Sequence, residues 1–535
     1  MRIRRMINRS TWNRPTLGHW LYVLTAIALA ACQTLPPIES NSDTRRLTLL
    51  FTNDVESAYD PIPAFWMDDI ETIGGIAQLA SLIDQLRDTE PAVFLFDAGD
   101  IFTGALAKLT EGELAFELMA TMGYDAMAIG NHEFEYGVEV LSWQKNRASF
   151  PVLGANMFYT TTDHPFAQAH TIIERDGFRI GVIGIMGQDA RSAIIPSYIA
   201  PLDITDPVAA VQRSVDEIRD DVDLIVLLTH QGKTAPMQTD AGSDPRLQRD
   251  IDADIRLAGA VTGVDVLFGG HADAGTPEPV IHPQTGTFIM QTYGHGMHLG
   301  FLQLELDRDG RMVSHSGKLI PVDTKRLTPH PQVAAKLAEY RNRHPELREV
   351  VATVNRPMLR RYNEESTIGH FFADVFRSVS GADIGVVHSG SLRKDLPAGE
   401  LLRVDVLDAY PFVDDVDVKR LTGSQIVELL EQSFSLERGL LQVSGLRIRY
   451  DLAQPVGERV LSVASEGRPL DLERQYTVAA PSFLAEGGDL YTTFSDVPLL
   501  STHGKVSDVI LDYCRSQSVI AVPDVGRQLP AHLVP

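Results

Sequence analysis

The chain has 535 residues, enough for two or three domains and a sizeable buried core. Hydrophobic residues make up 44% and charged residues 22%, which excludes a disordered or fibrous chain. The formal net charge of -24 argues against a nucleic-acid-binding surface, and means that an anionic ligand must be held by metals or a few arginines against the overall field.

The chain opens with Arg2, Arg4, Arg5, Arg9 and Arg14 and no acid, then an apolar stretch from Trp20 to Ala31. That stretch is too short to span a bilayer and reads as an export signal over residues 1–31. Leu29-Ala30-Ala31-Cys32 resembles the lipobox of bacterial lipoproteins, which implies lipidation of Cys32 and a membrane anchor. An ordinary secretory signal is the alternative. Gln33, following the Cys, implies the outer membrane, facing the periplasm or the cell surface. Residues 32–45, with Pro36 and Pro37, read as a tether. The only cysteines are Cys32 and Cys514, so a lipidated Cys32 leaves no intrachain disulfide.

From Leu47 to about Val322 apolar strands alternate with amphipathic helical stretches such as Gly75 to Leu86 and Glu113 to Met122, an α/β pattern. Five apolar runs stand out: Leu47 to Asp54, Ala92 to Asp100, Ala126 to Glu133, Asp223 to His230 and Val264 to His271. A short continuous apolar run reads as a strand buried on both faces. Ligands of α/β proteins gather beyond the carboxyl ends of such strands. Asp54, Asp100, Asn131, His230 and His271 collected there make a mixed oxygen and nitrogen metal site. One polar strand end is ordinary turn chemistry; five in succession are not. His295 and His298, just before a strand, are within reach of the site by their place in the chain, but an exposed or structural role is the simpler reading. Leu302 to Asp307 with Arg308 to Arg311 reads as a strand entering a hairpin. Residues 46–325 therefore form a first domain. A linker containing a polar helix, Pro329 to Arg343, covers 326–349. A second α/β domain, 350–535, has a strand at Ile384 to Val387 and a helix at Gly423 to Phe434.

The order Thr52-Asn53-Asp54, Gly99-Asp100, Gly130-Asn131-His132-Glu133, Thr229-His230 and Gly269-Gly270-His271 resembles the two-metal phosphoesterases of the calcineurin-like superfamily. More narrowly it resembles the 5′-nucleotidase family, which includes UDP-sugar hydrolases. The resemblance implies an N-terminal sandwich of two mixed sheets flanked by helices, and a C-terminal α/β substrate domain. It implies two divalent ions, which clamp the attacking and leaving oxygens of a phosphoryl displacement. Asp100 would bridge them. The second ion would take Asp100, Asn131, His230 and His271; the first would take Asp54, Asp100 and the residues two beyond Asp54 and His271. His132, supported by Glu135, would stabilise the transition state as water attacks phosphorus.

At those two remaining positions the family usually has His, or Gln at the second; this chain has Glu56 and Asp273. Glu135 stands where the family has Asp. The first site is thus expected to be oxygen-only, suited to Mn, Mg or Ca, and the second mixed, suited to Mn, Zn or Fe. Either the first site is retuned to a harder cation, or it is weak and the protein uses one metal or only binds. Replacement of ligand by ligand favours retuning.

Ser389-Gly390-Ser391-Leu392-Arg393, Pro411-Phe412, Gln442-Val443-Ser444-Gly445 and Phe483 to Tyr491 resemble the nucleotide-binding domain of the same family. The resemblance implies that Phe412 and Phe483 sandwich a base, a contact worth roughly 1–3 kcal/mol. It places Asp489 on ribose hydroxyls and Arg393 near phosphate, where a guanidinium can bind two oxygens at once. His388 and Asp414 stand where the family has Asn. Arg356 and Arg360 are the counterpart of a family arginine pair, with Arg361 competing. The expected activity is metal-dependent hydrolysis of a phosphate ester, most simply a nucleotide. The alternatives are another phosphorus-ester hydrolase, such as a phosphodiesterase, and a non-catalytic nucleotide- or metal-binding lipoprotein.

Overall fold

A computed structural model describes residues 44–234, 250–436 and 438–533. The signal segment, Cys32 and the tether as far as Asp43 lie outside the described residues. Among the described residues no helix is long and apolar enough to cross a membrane.

The first half lays down twelve strands that carry the argument. They are β1 (Arg45–Thr52), β2 (Val93–Asp97), β3 (Ala126–Ala128), β4 (Val152–Leu153), β5 (His170–Arg175) and β6 (Phe178–Met186). There follow β7 (Leu224–Gln231), β8 (Val266–His271), β9 (Val280–Ile281), β10 (Phe288–Gln291), β11 (His298–Leu306) and β12 (Met312–Pro321). They form two six-stranded sheets, in the orders β12-β11-β1-β2-β3-β4 and β9-β10-β8-β7-β6-β5. Both sheets are mixed: β1 runs parallel to β2 and antiparallel to β11, and β6 runs parallel to β7 and antiparallel to β5.

The period-two alternation of a strand explains the layering. Leu47, Leu49 and Phe51 of β1 point into a core between the sheets, with Phe94, Phe96, Val226, Leu228 and Phe268. Leu50, Leu95 and Met127, one residue out of step, join Leu79, Ile83, Leu118 and Met122 from helices α1 (Ile76–Thr89) and α2 (Glu113–Met122). On the far side, Ile225, Leu227 and Leu267 meet the helices Pro207–Ile218 and Asp252–Ala260. The central strands are buried on both faces, which is why they read as unbroken apolar runs. At the middle of the sandwich the rings of Phe51 and Phe268 stack at 4.0 Å between centroids.

The connecting helix, α3 (Pro331–Arg343), is not a solvated spacer. Its Val333, Leu337 and Tyr340 are buried in a core that continues into the second half through Phe371, Phe372 and Tyr410. That half is built on a five-stranded sheet. Its strands are β13 (Ile384–His388), β14 (Asp415–Thr422), β15 (Leu441–Ser444), β16 (Gln475–Pro481) and β17 (Leu499–Lys505), in the order β15-β13-β16-β14-β17. Helix α4 (Thr367–Ser380) covers one face and α5 (Gly423–Phe434) the other. Ser366 caps α4 by accepting the Gly369 amide, and Thr422 with Gln425 forms a reciprocal capping box on α5.

Removing one ring of the central stack leaves a cavity that a close-packed sandwich cannot refill. Phe268→Ala is expected to lower stability by about 3–5 kcal/mol, read as a loss of denaturation midpoint. An unchanged midpoint would contradict this account of the core.

Candidate metal centre

The parallel strands of both sheets end on the same edge, and each end turns sharply. Asp54, Glu56, Asp100, His271 and Asp273 all have left-handed backbones, with φ of 49°, 43°, 61°, 71° and 48°. Such conformations cost non-glycine residues of order 1–3 kcal/mol each and persist only where neighbours enforce them. The enforcement is visible. The Asp54 amide donates to Gly99 O at 2.9 Å, and the Glu56 amide to Asp100 O at 2.9 Å. The His271 amide donates to the Asp54 carboxylate at 2.9 and 3.0 Å, tying the two sheets together. Fully buried Glu133 accepts the amides of Gly130 at 2.6 Å, Asp100 at 2.9 Å and Ile101 at 2.8 Å. Gly130 permits this approach: a Cβ there would stand 2.2 Å from Asp100 Oδ1.

Asp100, His230 and His271, all buried, bring ligand atoms within 4.8 Å of one another. The His230 Nδ1–H donates to the carbonyl of Ala98 at 2.8 Å. Its Nε2 therefore faces Asn131 Oδ1 and Asp100 Oδ2, each at 3.0 Å. The ring nitrogen and the two oxygens converge on a common point, which either a proton on the imidazole or a bound cation satisfies. Burial opposes a charge on His230, but Asp100 outweighs it and pushes the imidazole up to about 10. Burial and then His230 hold His271 well below its ordinary range, hence neutral. Its buried Nε2 has no hydrogen-bond partner. The donor set fits a divalent cation of mixed oxygen and nitrogen preference.

A second cluster shares Asp100 and adds Glu56 and His132. Glu56 Oε1 lies 3.2 Å from His132 Nε2, and its Oε2 lies 3.4 Å from His295 Nε2. Burial works against the Glu56 carboxylate, yet Arg393, His295 and His132 hold it well below the usual carboxylate range. Asp54 is pushed the other way, by burial and then by the Asp273 carboxylate. Crowded carboxylates of this kind are relieved by a bound cation. The four carboxylates expected to form the first site are all at this end of the cavity. The tight cluster, however, passes through His132, while Asp54 and Asp273 line the adjoining wall. His132 is gripped by Glu135, whose Oε1 is 2.6 Å from Nδ1, and its amide donates to Asp100 Oδ1 at 2.7 Å.

A cavity of about 630 Å³ opens above the clusters and is closed on its far side by the second half of the chain. Arg360, Arg393, Phe412, Asp414, Phe483 and Asp489 line it as anticipated. Arg393 NH2 reaches His132 Nε2 at 3.1 Å, and the Phe412 ring stacks on the His132 ring at 5.9 Å. Arg356 is a correction. It is committed to the 522–524 segment, bonding the Asp524 carboxylate and the Val522 carbonyl, and is not among the cavity's lining. Arg361 donates to Arg360 O. Asp414 is spent internally, accepting the Phe483 amide at 2.7 Å, Tyr410 OH at 2.8 Å and Ser482 Oγ at 3.0 Å. It shapes the turn that carries Phe483 and does not present itself to a base. His388 pairs with Asp489 at 2.8 Å.

Two residues were not anticipated, and a third takes the less favoured of its two readings. Glu133 organises the bridging loop, and its place beside His132 was the only sequence signal for it. Arg438 joins the halves, donating to Ser192 Oγ at 3.0 Å and approaching Asp489 at 3.8 Å; nothing in its local sequence marks it. His295, read as structural or exposed, instead lines the cavity beside Glu56. His298 does match that reading: it is buried against Tyr293.

Comparison with known proteins adds independent findings. Residues 47–272 match the calcineurin-like phosphoesterase family and residues 350–496 the 5′-nucleotidase C-terminal domain. A 5′-nucleotidase of Vibrio cholerae serotype O1 is 30% identical, over 94% of this chain and 96% of its own length. The protein UshA of Yersinia enterocolitica is 26% identical, over 92% and 96% respectively. A 5′-nucleotidase precursor from Thermus thermophilus superposes with a TM-score of 0.79 at 25% identity, covering 91% of this chain and 99% of that one. The sulfate thiohydrolase SoxB of the same organism shares the fold, with a TM-score of 0.73 at 21% identity.

The fit at Gly130 gives a direct check. Gly130→Ala is expected to displace Asp100 and weaken Mn²⁺ binding about tenfold or more, an overpacking cost of about 1.4 kcal/mol. Equilibrium dialysis measures it, with circular dichroism confirming an intact fold. Unaltered Mn²⁺ affinity would mean that Asp100 is not where the ion binds.

Proposed function

This chain belongs to the 5′-nucleotidase family and is a metallophosphoesterase hydrolase of that type; on that premise we propose that it removes phosphate from a nucleotide held between its two halves. The observation that carries the proposal is a cavity lined by both halves of the chain. Its floor is the carboxylate, imidazole and amide cluster around Asp100, and its opposite wall carries Arg393, Phe412, Phe483 and Asp489. At about 630 Å³ the space is of the size that takes a small-molecule substrate.

In this reading phosphate binds at the floor and the base at the aromatic wall. Divalent ions, when bound, supply Lewis-acid polarisation of the phosphoryl oxygens and lower the pKa of the attacking water. Asp100, Asn131, His230 and His271 would hold one; Asp54, Glu56, Asp100 and Asp273 would hold the other. By its carboxylates alone the latter favours Mn, Mg or Ca, and the former Mn, Zn or Fe. Arg393, beside Glu56 and His132, brings two fixed N–H donors to the place where phosphate charge develops. Glu135 fixes the His132 ring so that Nε2 faces the cavity, where it stabilises negative charge as phosphorus is attacked. Glu133 keeps the loop of Asp100 and Asn131 in register through four amide contacts.

The test is phosphate release from AMP, UDP-glucose, a cyclic nucleotide and a generic diester, each with Mn²⁺, Mg²⁺, Ca²⁺ or Zn²⁺. Release from the nucleotide monoester and its loss in Glu56→Ala are expected. Turnover of the diester alone would replace the nucleotidase reading, and full activity of Glu56→Ala would sink the two-metal one.

We also propose export as a lipoprotein to the outer membrane, supported by the basic and apolar leader that ends at Cys32. The wild-type chain should fractionate with membranes and Cys32→Ser should not. Membrane retention of that variant would overturn the proposal.

A further inference from the structure

We propose that His295 is a ligand of the first metal site and gives that site the nitrogen which its four carboxylates lack. The proposal rests on the two-metal reading and changes the chemistry of one of its sites.

The geometry comes first. His295 Nε2 is buried, has no hydrogen-bond partner, and stands 3.4 Å from Glu56 Oε2. That places an unpartnered imidazole nitrogen beside a carboxylate oxygen, a pair of donor types that a divalent ion would share. The spacing is comparable with the 3.0 Å between His230 Nε2 and Asp100 Oδ2 in the other cluster.

The loop that carries His295 is fastened to first-site residues on both sides. The His295 amide donates to Asp54 O at 2.6 Å, and the Thr292 amide to Asn53 Oδ1 at 2.8 Å. Gly294, at φ 73°, lies so close to Asp273 that a Cβ would come within 2.2 Å of its carboxylate. His295 itself has a left-handed backbone, φ 51°, like five of the proposed ligands. A loop held by Asn53, Asp54 and Asp273, in a conformation that costs energy, aims one imidazole at Glu56. Packing alone does not require that aim, since His298, in the same segment, is buried against Tyr293 without it.

Charge points the same way. Asp54, Glu56, Asp100 and Asp273 around one dication leave an excess of negative charge in a buried space. A neutral imidazole adds a donor without adding charge. With it the first site becomes mixed, and Mn²⁺, Fe²⁺, Co²⁺ or Zn²⁺ should outcompete Ca²⁺ and Mg²⁺ there.

The experiment is a Co²⁺ titration of the metal-free full chain, followed by visible absorption and by the number of ions bound. Wild type should bind two Co²⁺. His295→Ala should weaken one of them about tenfold or more and alter its absorption band, leaving the other as an internal sign of intact folding. His295→Gln, a neutral ligand of similar reach, should bind two; His295→Lys, which keeps only a cation near Glu56, should resemble His295→Ala. If His295→Ala does not fold, the Gln and Lys variants carry the same comparison. An unchanged titration in His295→Ala, or rescue by His295→Lys, overturns the proposal while leaving the two-metal reading in place. A single Co²⁺ in wild type overturns both.

Discussion

The carboxylate of Asp100 is the point on which the rest of the centre hangs. Its Oδ1 accepts the His132 amide and its Oδ2 faces His230, while its own amide and carbonyl engage Glu133 and Glu56. Every atom of that residue able to form a hydrogen bond is therefore committed, and both ligand clusters share it. A left-handed turn directly after a buried strand is what allows this. It reverses the chain while the side chain stays at the sheet edge, and the costly backbone is held by Glu133 beneath it. The concentration of acceptors is stable in a dry interior only with a cation among them.

The sandwich supplies the rigidity that such a centre needs. Its ligands come from both sheets, and their relative position is set by the aromatic and aliphatic core between the sheets, not by the loops themselves. The Asp54 carboxylate, holding the His271 amide, is the hydrogen-bonded seam at the open edge of that core. A small slip of one sheet over the other would separate His230 and His271 from Asp100, and close packing resists that slip.

The second half of the chain supplies the facing wall of the cavity above the metal centre. Lys108 donates to the Phe412 carbonyl at 2.6 Å, Glu486 accepts from the Ser197 amide and hydroxyl at 2.9 Å each, and Arg438 bridges to Ser192. Arg393 is the cation that reaches across to the centre. In a chain of net charge -24 such local positive charge is what lets a phosphate group approach at all.

Much of this could be read directly from the sequence. Buried strands announce themselves as unbroken apolar runs, and the residues that end them are neighbours in sequence. Asp54, Asp100, Asn131, His230 and His271, and the α/β class, were therefore legible from local pattern, while the two-sheet sandwich came from the family resemblance. The helix Gly423–Phe434 was legible from its pattern as well. What the sequence could not give depends on long-range contact. Arg356 and Arg360 look alike in sequence, yet one bonds Asp524 and the other lines the cavity. Asp414 looks like a base contact and is consumed by the Phe483 turn. His295 belongs to the centre because its loop is bonded to Asn53 and Asp54, some 240 residues away in sequence (|i−j| is 239 for Thr292 and Asn53). Periodicity reports which face of an element is buried; only the tertiary structure decides which distant loop closes against it.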